Sequence, residues 1–320
     1  MDFNKINWKQ IAITVGIPLV ILIVLALLPF YGWAYGVTLF THFLVYIILS
    51  VSWTIFSGAT GYISLATAAF YGVGIYAAAL FGEQLPLIIV VLIGGAASFV
   101  LAFIVGAITL RLKGIYFAMF TFGLVLLMKE LIYYWEINVS GLRGRFVVLE
   151  SNETIYYYLL GIFVVTMVAA YLMRRSKYGL ALASIGENEE AAAHTGINVT
   201  MVKIMTYAVS AIFMGAAGVI MATKMTYVDP GVAFSPLMSF SPVLMAIFGG
   251  MGNIYGPVIG AAIFAYVEEI LKTGSLKNYY MLIFGAILIA TILFLPNGLM
   301  GLVQNVWTKI KGVRRAPTRG

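Results

Sequence analysis

Apolar runs about as long as a bilayer is wide follow one another along almost the whole chain, parted by short polar breaks. A spanning helix takes about 20 mostly apolar residues. The pattern predicts about ten segments, near 11–30, 37–56, 62–82, 86–110, 114–135, 154–173, 203–223, 237–250, 256–272 and 280–296. Those at 62–82 and 237–250 are rich in Gly, Ser or Pro. They are expected to be broken or partly re-entrant helices, tolerated where protein or a water cavity covers the backbone. The first segment is too long for the apolar part of a cleaved leader and runs into Pro29-Phe30, so it is expected to be a span. The expectation is an all-α polytopic bundle forming a single transmembrane domain over 1–320.

Composition agrees with the pattern. Of the 320 residues 62% are apolar and 10% charged, against about 45–50% and about 25% in soluble domains. Mean hydropathy is +1.01. Cysteine is absent, which removes disulfide scaffolds and thiolate chemistry. The net charge of +7 reports orientation rather than nucleic-acid binding. With the N-terminus cytoplasmic, Lys5, Lys9, Arg111, Lys113, Arg174, Arg175, Lys177, Lys203, Lys309, Lys311, Arg314, Arg315 and Arg319 fall inside. Arg143, Arg145, Lys224, Lys272 and Lys277 fall outside, and Lys129 lies within a span. The positive-inside bias therefore places both termini in the cytoplasm. Trp8, Trp33, Trp135, Tyr156, Tyr157, Tyr158, Tyr279, Tyr280 and Trp307 fall where an interfacial aromatic belt sits.

No phosphate-binding GxxxxGK[ST], HExxH or GxSxG run is present. The two histidines, His42 and His194, are far apart in sequence. No catalytic residue, metal site or cofactor is expected, and energy for transport has to come from a partner or an ion gradient.

The longest inside loop, 174–202, carries a short helix with marked ends. Ser184 followed by Glu187 reads as a capping box. Glu187, Glu189 and Glu190 crowd a first turn, where the helix dipole favours negative charge. Ala191, Ala192 and Ala193 are strong helix formers, and Gly196 suits a left-handed C-terminal cap with Ile197 after it. A helix of about three turns is marginal alone in water, so it must dock, either on the protein's own loops and membrane surface or in a partner's groove.

Two glycine-rich clusters are candidate path residues: Gly58, Gly61, Tyr62, Ser64 and Thr67, and Gly249, Gly250, Gly252 and Asn253. "IFSGATG" (55–61) and "IFGGMG" (247–252) echo each other weakly. Glycine in a spanning helix serves close packing or a break in the ladder. Adjacent hydroxyl and amide groups add a route for a solute to the packing reading. Lys129 with Glu130, and Glu268 with Glu269, fall near the outer ends of spans, where long side chains snorkel. The sharper expectation is an outer gate in which Lys129 pairs with Glu268 or Glu269. Asp229-Pro230-Gly231 reads as a turn, and the loop near 136–153 as a solvated loop of mixed charge.

Several blocks carry a family resemblance. "ENEEAAAHTGIN" (187–198) resembles the coupling loop of ATP-binding-cassette (ABC) importer permeases. "GYISLATAAFYGVGIYAAAL" (61–80), "LRLKGIYFAMFTFG" (110–123) and the stretches 176–218 and 229–261 are similar, in order, to blocks of the LivM-type permeases of branched-chain amino-acid importers. Ala66-Thr67 stands where that family usually has Gly-His, and Ser140-Gly141-Leu142-Arg143-Gly144 replaces a T-G-G-x-x-G-type run. The resemblance implies a multi-pass permease subunit of the cell membrane that is not itself an enzyme. It implies two ABC ATPase subunits seated on residues 184–196, a second LivH-like permease and a periplasmic or extracellular solute-binding protein. It leaves open cargoes such as urea, amides, nucleosides, aromatic acids or other amino acids. A gradient-driven carrier and a structural or channel-like membrane protein are the rivals of another class. The former would be expected to use carboxylates in mid-membrane.

Overall fold

The computed structural model describes residues 17–31, 34–141, 143–273 and scattered positions between 279 and 301. Both termini and most of the expected segment 280–296 lie outside the described residues. In chain order the helices are α1 (Ile17–Leu27), α2 (Ala34–Thr60), α3 (Thr67–Phe81), α4 (Leu87–Thr109), α5 (Ile115–Trp135), α6 (Asn152–Arg175), α7 (Lys177–Glu187), α8 (Glu189–His194), α9 (Val199–Ala222), α10 (Pro230–Ala233), α11 (Leu237–Gly249) and α12 (Tyr255–Thr273). A single turn of π-helix, Glu136–Ser140, extends α5. The strands β1 (Arg145–Phe146) and β2 (Tyr227–Val228) pair antiparallel.

Among the described residues six helices are long and apolar enough to cross a membrane: Ala34–Thr60, Leu87–Thr109, Ile115–Ser140, Asn152–Arg175, Val199–Ala222 and Pro230–Gly249. Val20–Phe30 and Thr67–Phe81 are apolar but shorter. The third expected segment, 62–82, becomes helical late: residues 61–66 are non-helical, and Gly61 turns the chain with φ +73°. Its backbone is satisfied from neighbouring elements, as a break inside lipid requires. Trp53 Nε1 donates to Ser64 O (2.7 Å), and Thr121 Oγ1 accepts from Leu65 N (3.0 Å). The run at 229–231 is no plain turn: Asp229 caps α10, its Oδ1 accepting from Val232 N (2.9 Å), with Pro230 opening the helix.

Burial sorts the helices into centre and rim. The apolar windows of α2 and α9 are each 72% buried, against 22% for Ile115–Ser140 and 33% for α6. Thus α2 and α9 form the centre, while α5 and α6 present Leu126, Leu127, Val165 and Leu172 outward. The centre closes on small residues. A Cβ on Gly74 would overlap Gly215 backbone, and one on Gly218 would overlap Tyr71 O. Lipid tails give helices no hydrophobic drive to associate, so close van der Waals approach has to hold them.

Gly58–Thr67, the end of α4, the 174–203 loop and the α11–α12 turn meet at one end of the bundle, the loop end. The α3–α4 turn, residues 136–152 and the α9–α10 connection form the opposite end.

Candidate functional site: the two-helix loop and its anchor

The 174–202 loop folds as two helices, where the sequence predicted one. Ser176 starts α7, its Oγ accepting from Gly179 N (3.3 Å). Ser184, expected to be the N-cap, lies inside α7 and donates to Leu180 O (3.1 Å). Asn188 is the cap of α8: its Oδ1 accepts from Glu190 N and Ala191 N, both at 3.0 Å. The reason lies in packing. Leu182 and Ile185, three apart on α7, are both buried, which carries that helix past Ser184 to Glu187. At the far end Gly196 is left-handed (φ +86°), with Gly196 N donating to Ala193 O and Ile197 N to Ala192 O. That is the double-bond cap expected of a glycine after a helix.

The side chains divide by face. Ser184, Glu187, Glu190, Ala191 and Gly196 are exposed. Ala192 is buried, and Glu189 turns inward. Glu189 meets Lys203, which the sequence placed only among the inside cations and which is 2% exposed. Lys203 Nζ donates to Glu189 Oε1 (2.6 Å) and Leu110 O (3.2 Å), and lies 4.7 Å from the centroid of the Tyr62 ring. Tyr62 Oη donates to Glu189 Oε2 (2.8 Å). Partial burial raises the Glu189 carboxyl, but the hydrogen bonds from Lys203 and Tyr62 outweigh it and hold the pKa below the usual carboxylate value. No local signal marks Lys203, because its partner lies across the folded loop.

A weakened cap should loosen α8 without touching the bundle. Asn188→Ala and, independently, Gly196→Ala are each expected to lower α8 stability by about 1 kcal/mol. Amide hydrogen exchange at 189–194 should then quicken roughly fivefold, while α9 stays protected.

The candidate path residues separate into different environments. Gly58 and Asn253 line one cavity of about 40 Å³ with Thr54, Met251 and Arg174. Ser64 and Thr67 line another of about 10 Å³ with Ser57, Tyr207 and Ser210, room for about one water. Ser64 Oγ lies 3.1 Å from Tyr207 Oη, while Ser57 Oγ and Thr67 Oγ1 are buried with no hydrogen-bond partner among the described residues. Tyr62 belongs to the Lys203 cluster. Gly249 serves packing, since a Cβ there would overlap Gly256 O. Gly250 turns the chain (φ +99°), and Gly252 O accepts from Arg174 Nη2 (2.7 Å).

The expected Lys129–Glu pair is not formed among the described residues. Glu268 takes Lys272, one turn on along α12, and accepts from Tyr46 Oη (3.4 Å). Glu269 O accepts from Thr273 Oγ1 (2.8 Å). No ion pair joins Lys129 to either acid among the described residues. A partner four residues away on the same helix needs no second element to reach it. Sequence reasoning also missed Glu136, read as part of a solvated loop. It is 1% exposed and accepts from Tyr76 Oη (2.9 Å) and Gly144 N (3.0 Å).

Known proteins are similar in sequence over most of the chain. The family described as "Branched-chain amino acid transport system / permease component" matches residues 35–292. The high-affinity branched-chain amino acid transport system permease protein LivM of Salmonella typhimurium is 25% identical over 89% of this chain and 74% of its own length. That of Escherichia coli is 27% identical over 89% and 75%. The ribose import permease protein RbsC of Haemophilus influenzae is 29% identical over 42% of this chain and 43% of its own. No solved structure matches. The six long apolar helices and the family match make the chain a multi-pass protein of the cell membrane. It belongs to the branched-chain amino acid transport system permease family.

Proposed function

We propose that this chain is one membrane subunit of an ABC importer, a single permease domain over 1–320 with both termini cytoplasmic. In this reading a binding protein delivers solute to the opposite end of the bundle. A second, LivH-like permease chain completes the path, with Gly58, Gly61, Ser64, Thr67 and Asn253 on this chain's side. Two separate ATPase chains seat on α7–α8, against the exposed Glu187, Glu190 and Ala191. Lys129, Glu268 and Glu269 serve the outer gate through the partner permease rather than through one another. The observation that carries the reading is the two-helix loop: capped at both ends, presented at one end of the bundle and anchored to its core. A loop that only joined two spans would need neither cap nor buried anchor.

Branched-chain amino acids are the proposed cargo, because the LivM relatives match over 89% of the chain. A pentose is the second reading, favoured by the RbsC relatives and by the L-arabinose permease protein AraH of Azospirillum brasilense, 28% identical over 40% of the chain. The test is co-purification from detergent followed by uptake of labelled leucine and labelled ribose into vesicles holding the whole complex. Nucleotide-binding chains should co-purify with the wild type and be lost with Glu190→Trp/Ala191→Trp. Leucine uptake should require ATP and be insensitive to an uncoupler at constant ATP. Uptake by this chain alone, or collapse with the uncoupler, would overturn the importer reading. Ribose uptake in place of leucine would overturn the cargo alone.

A further inference from the structure

We propose that Lys203 is the positioning residue through which movement of α8 reaches the membrane core, acting on Tyr62 at the break between α2 and α3. The inference rests on the importer reading above and adds to it a route inward from the docking face.

The geometry is that of a fixed joint. Lysine has three donors, and Lys203 Nζ has three oxygens within reach: Glu189 Oε1 on α8, Leu110 O at the end of α4, and Tyr62 Oη (3.4 Å). Glu189 is engaged through both oxygens, one by Lys203 and one by Tyr62. One ion pair therefore joins α8, the α4 terminus, α9 and the non-helical stretch 61–66. It is the one ion pair among the described residues that ties the loop to the bundle; the other, Lys272–Glu268, lies within α12.

The buried side chains of α7 and α8 among the described residues are apolar: Leu182, Ile185 and Ala192. Apolar contacts are non-directional and let a helix slide. A buried ammonium does not slide, because losing its carboxylate leaves an uncompensated charge. A shift of α8 has to carry Lys203 and Tyr62 along or break the joint, which gives two discrete arrangements rather than a continuum.

Tyr62 is where such a shift would matter. It follows Gly61, at φ +73°, and precedes Ser64, whose hydroxyl meets Tyr207 one turn along α9 from Lys203. Ser64 and Thr67 line the small hydroxyl cavity. The joint thus connects the exposed face of α8 to the non-helical backbone beside candidate path residues. Glu187, Glu190 and Ala191 remain free for the ATPase.

The test uses the whole complex in vesicles and reads labelled leucine (or ribose, should that be what the wild type carries) taken up per ATP hydrolysed. Lys203→Met keeps length and apolar stem; Tyr62→Phe keeps the ring and removes one hydroxyl. The expected result is ATP hydrolysis within about twofold of wild type but uptake per ATP reduced about tenfold by Lys203→Met and several-fold by Tyr62→Phe, within the roughly 5–150-fold range of coupling between sites. Loss of stability alone would lower uptake and hydrolysis together and leave their ratio unchanged. An unchanged ratio in both variants, with the wild type driven by ATP, overturns this proposal and leaves the importer reading standing. A wild type without bound ATPase chains overturns both. Should Lys203→Met fail to accumulate in the membrane, Tyr62→Phe decides alone: an unchanged ratio overturns the proposal.

Discussion

Gly218→Leu is expected to yield no monodisperse protein in detergent, whereas Gly123→Leu is expected to purify like the wild type. Both replace a glycine in a long apolar helix by the same side chain, so propensity favours both changes equally. The difference is in what the new atoms meet. A Cβ on Gly218 would overlap the carbonyl oxygen of Tyr71 on α3, and the nitrogen of Ile75 lies 3.2 Å away. Gly215, three residues earlier on the same face of α9, has Gly94 O of α4 2.6 Å from where its Cβ would stand, and faces Gly74 of α3. Three helices therefore meet in close backbone approach, and at Gly218 the nearest atoms are all backbone, which cannot swing aside as the Ser98 side chain beside Gly215 can. Overpacking in adaptable cores costs about 1–3 kcal/mol; here α9 has to separate from α3, and the loss should exceed that range. Gly123 has nothing within 4 Å of its Cβ position, so leucine there should stay within about 0.5 kcal/mol. Size-exclusion profile and thermal inactivation in detergent distinguish the two. A well-behaved Gly218→Leu protein would mean that α3 and α9 do not cross at this point.

The helical class and the positions of most spans were legible because apolar runs of bilayer length leave a chain few alternatives. The expected segments at 37–56 and 154–173 lie inside α2 and α6, and 114–135 matches α5 to within one residue. Local rules ran out where distant residues decide the outcome. Ser184 and Asn188 both satisfy the rules for a cap. Burial of Leu182 and Ile185 against the bundle chose between them, and a single sequence does not display that contact. The late start of α3 was legible as glycine-rich irregularity but not as a stretch held by Trp53 and Thr121. Charged residues misled in both directions. Lys129 invited an inter-helical partner, and no ion pair joins it to Glu268 or Glu269 among the described residues. Lys203 and Glu136 read as surface charges because their partners lie 14 and 60 residues away. Charge in lipid is expensive, so each buried ion has to find a partner, but which partner is a property of the fold.

Glu136 gives the second large effect. Glu136→Ala is expected to destabilise the opposite end of the bundle by about 2–5 kcal/mol, from two buried donors left without an acceptor at about 1–3 kcal/mol each. One is Tyr76 Oη at the end of α3, whose ring stacks on Phe234 at 5.8 Å and 19°. The other is Gly144 N, in a turn where Gly144 has φ +68° and packs against the Tyr227 ring. Tyr227 in turn donates its hydroxyl to Arg143 O and pairs across the ribbon with Phe146. The carboxyl group thus ties α3 to the 143–150 segment, with Phe234 at the C-cap of α10 stacked on the same tyrosine. Because the damage comes from orphaned donors rather than from lost attraction, it should be partly reversible by removing a donor. Tyr76→Phe in the Glu136→Ala background is expected to recover about 1–2 kcal/mol, although Tyr76→Phe alone should destabilise the wild type. Glu136→Gln should fall between, since its amide oxygen can accept from Gly144 N while its NH₂ group donates to Tyr76 Oη, whose own proton then loses its acceptor. Thermal unfolding in detergent across the four combinations of Glu136→Ala and Tyr76→Phe measures the coupling. Strictly additive losses would show that the two groups do not share a bond. Each of these variants should still bind the ATPase chains, whose proposed seat is at the other end of the bundle; loss of that binding in a protein that remains folded would mean that the two ends act as one rigid body.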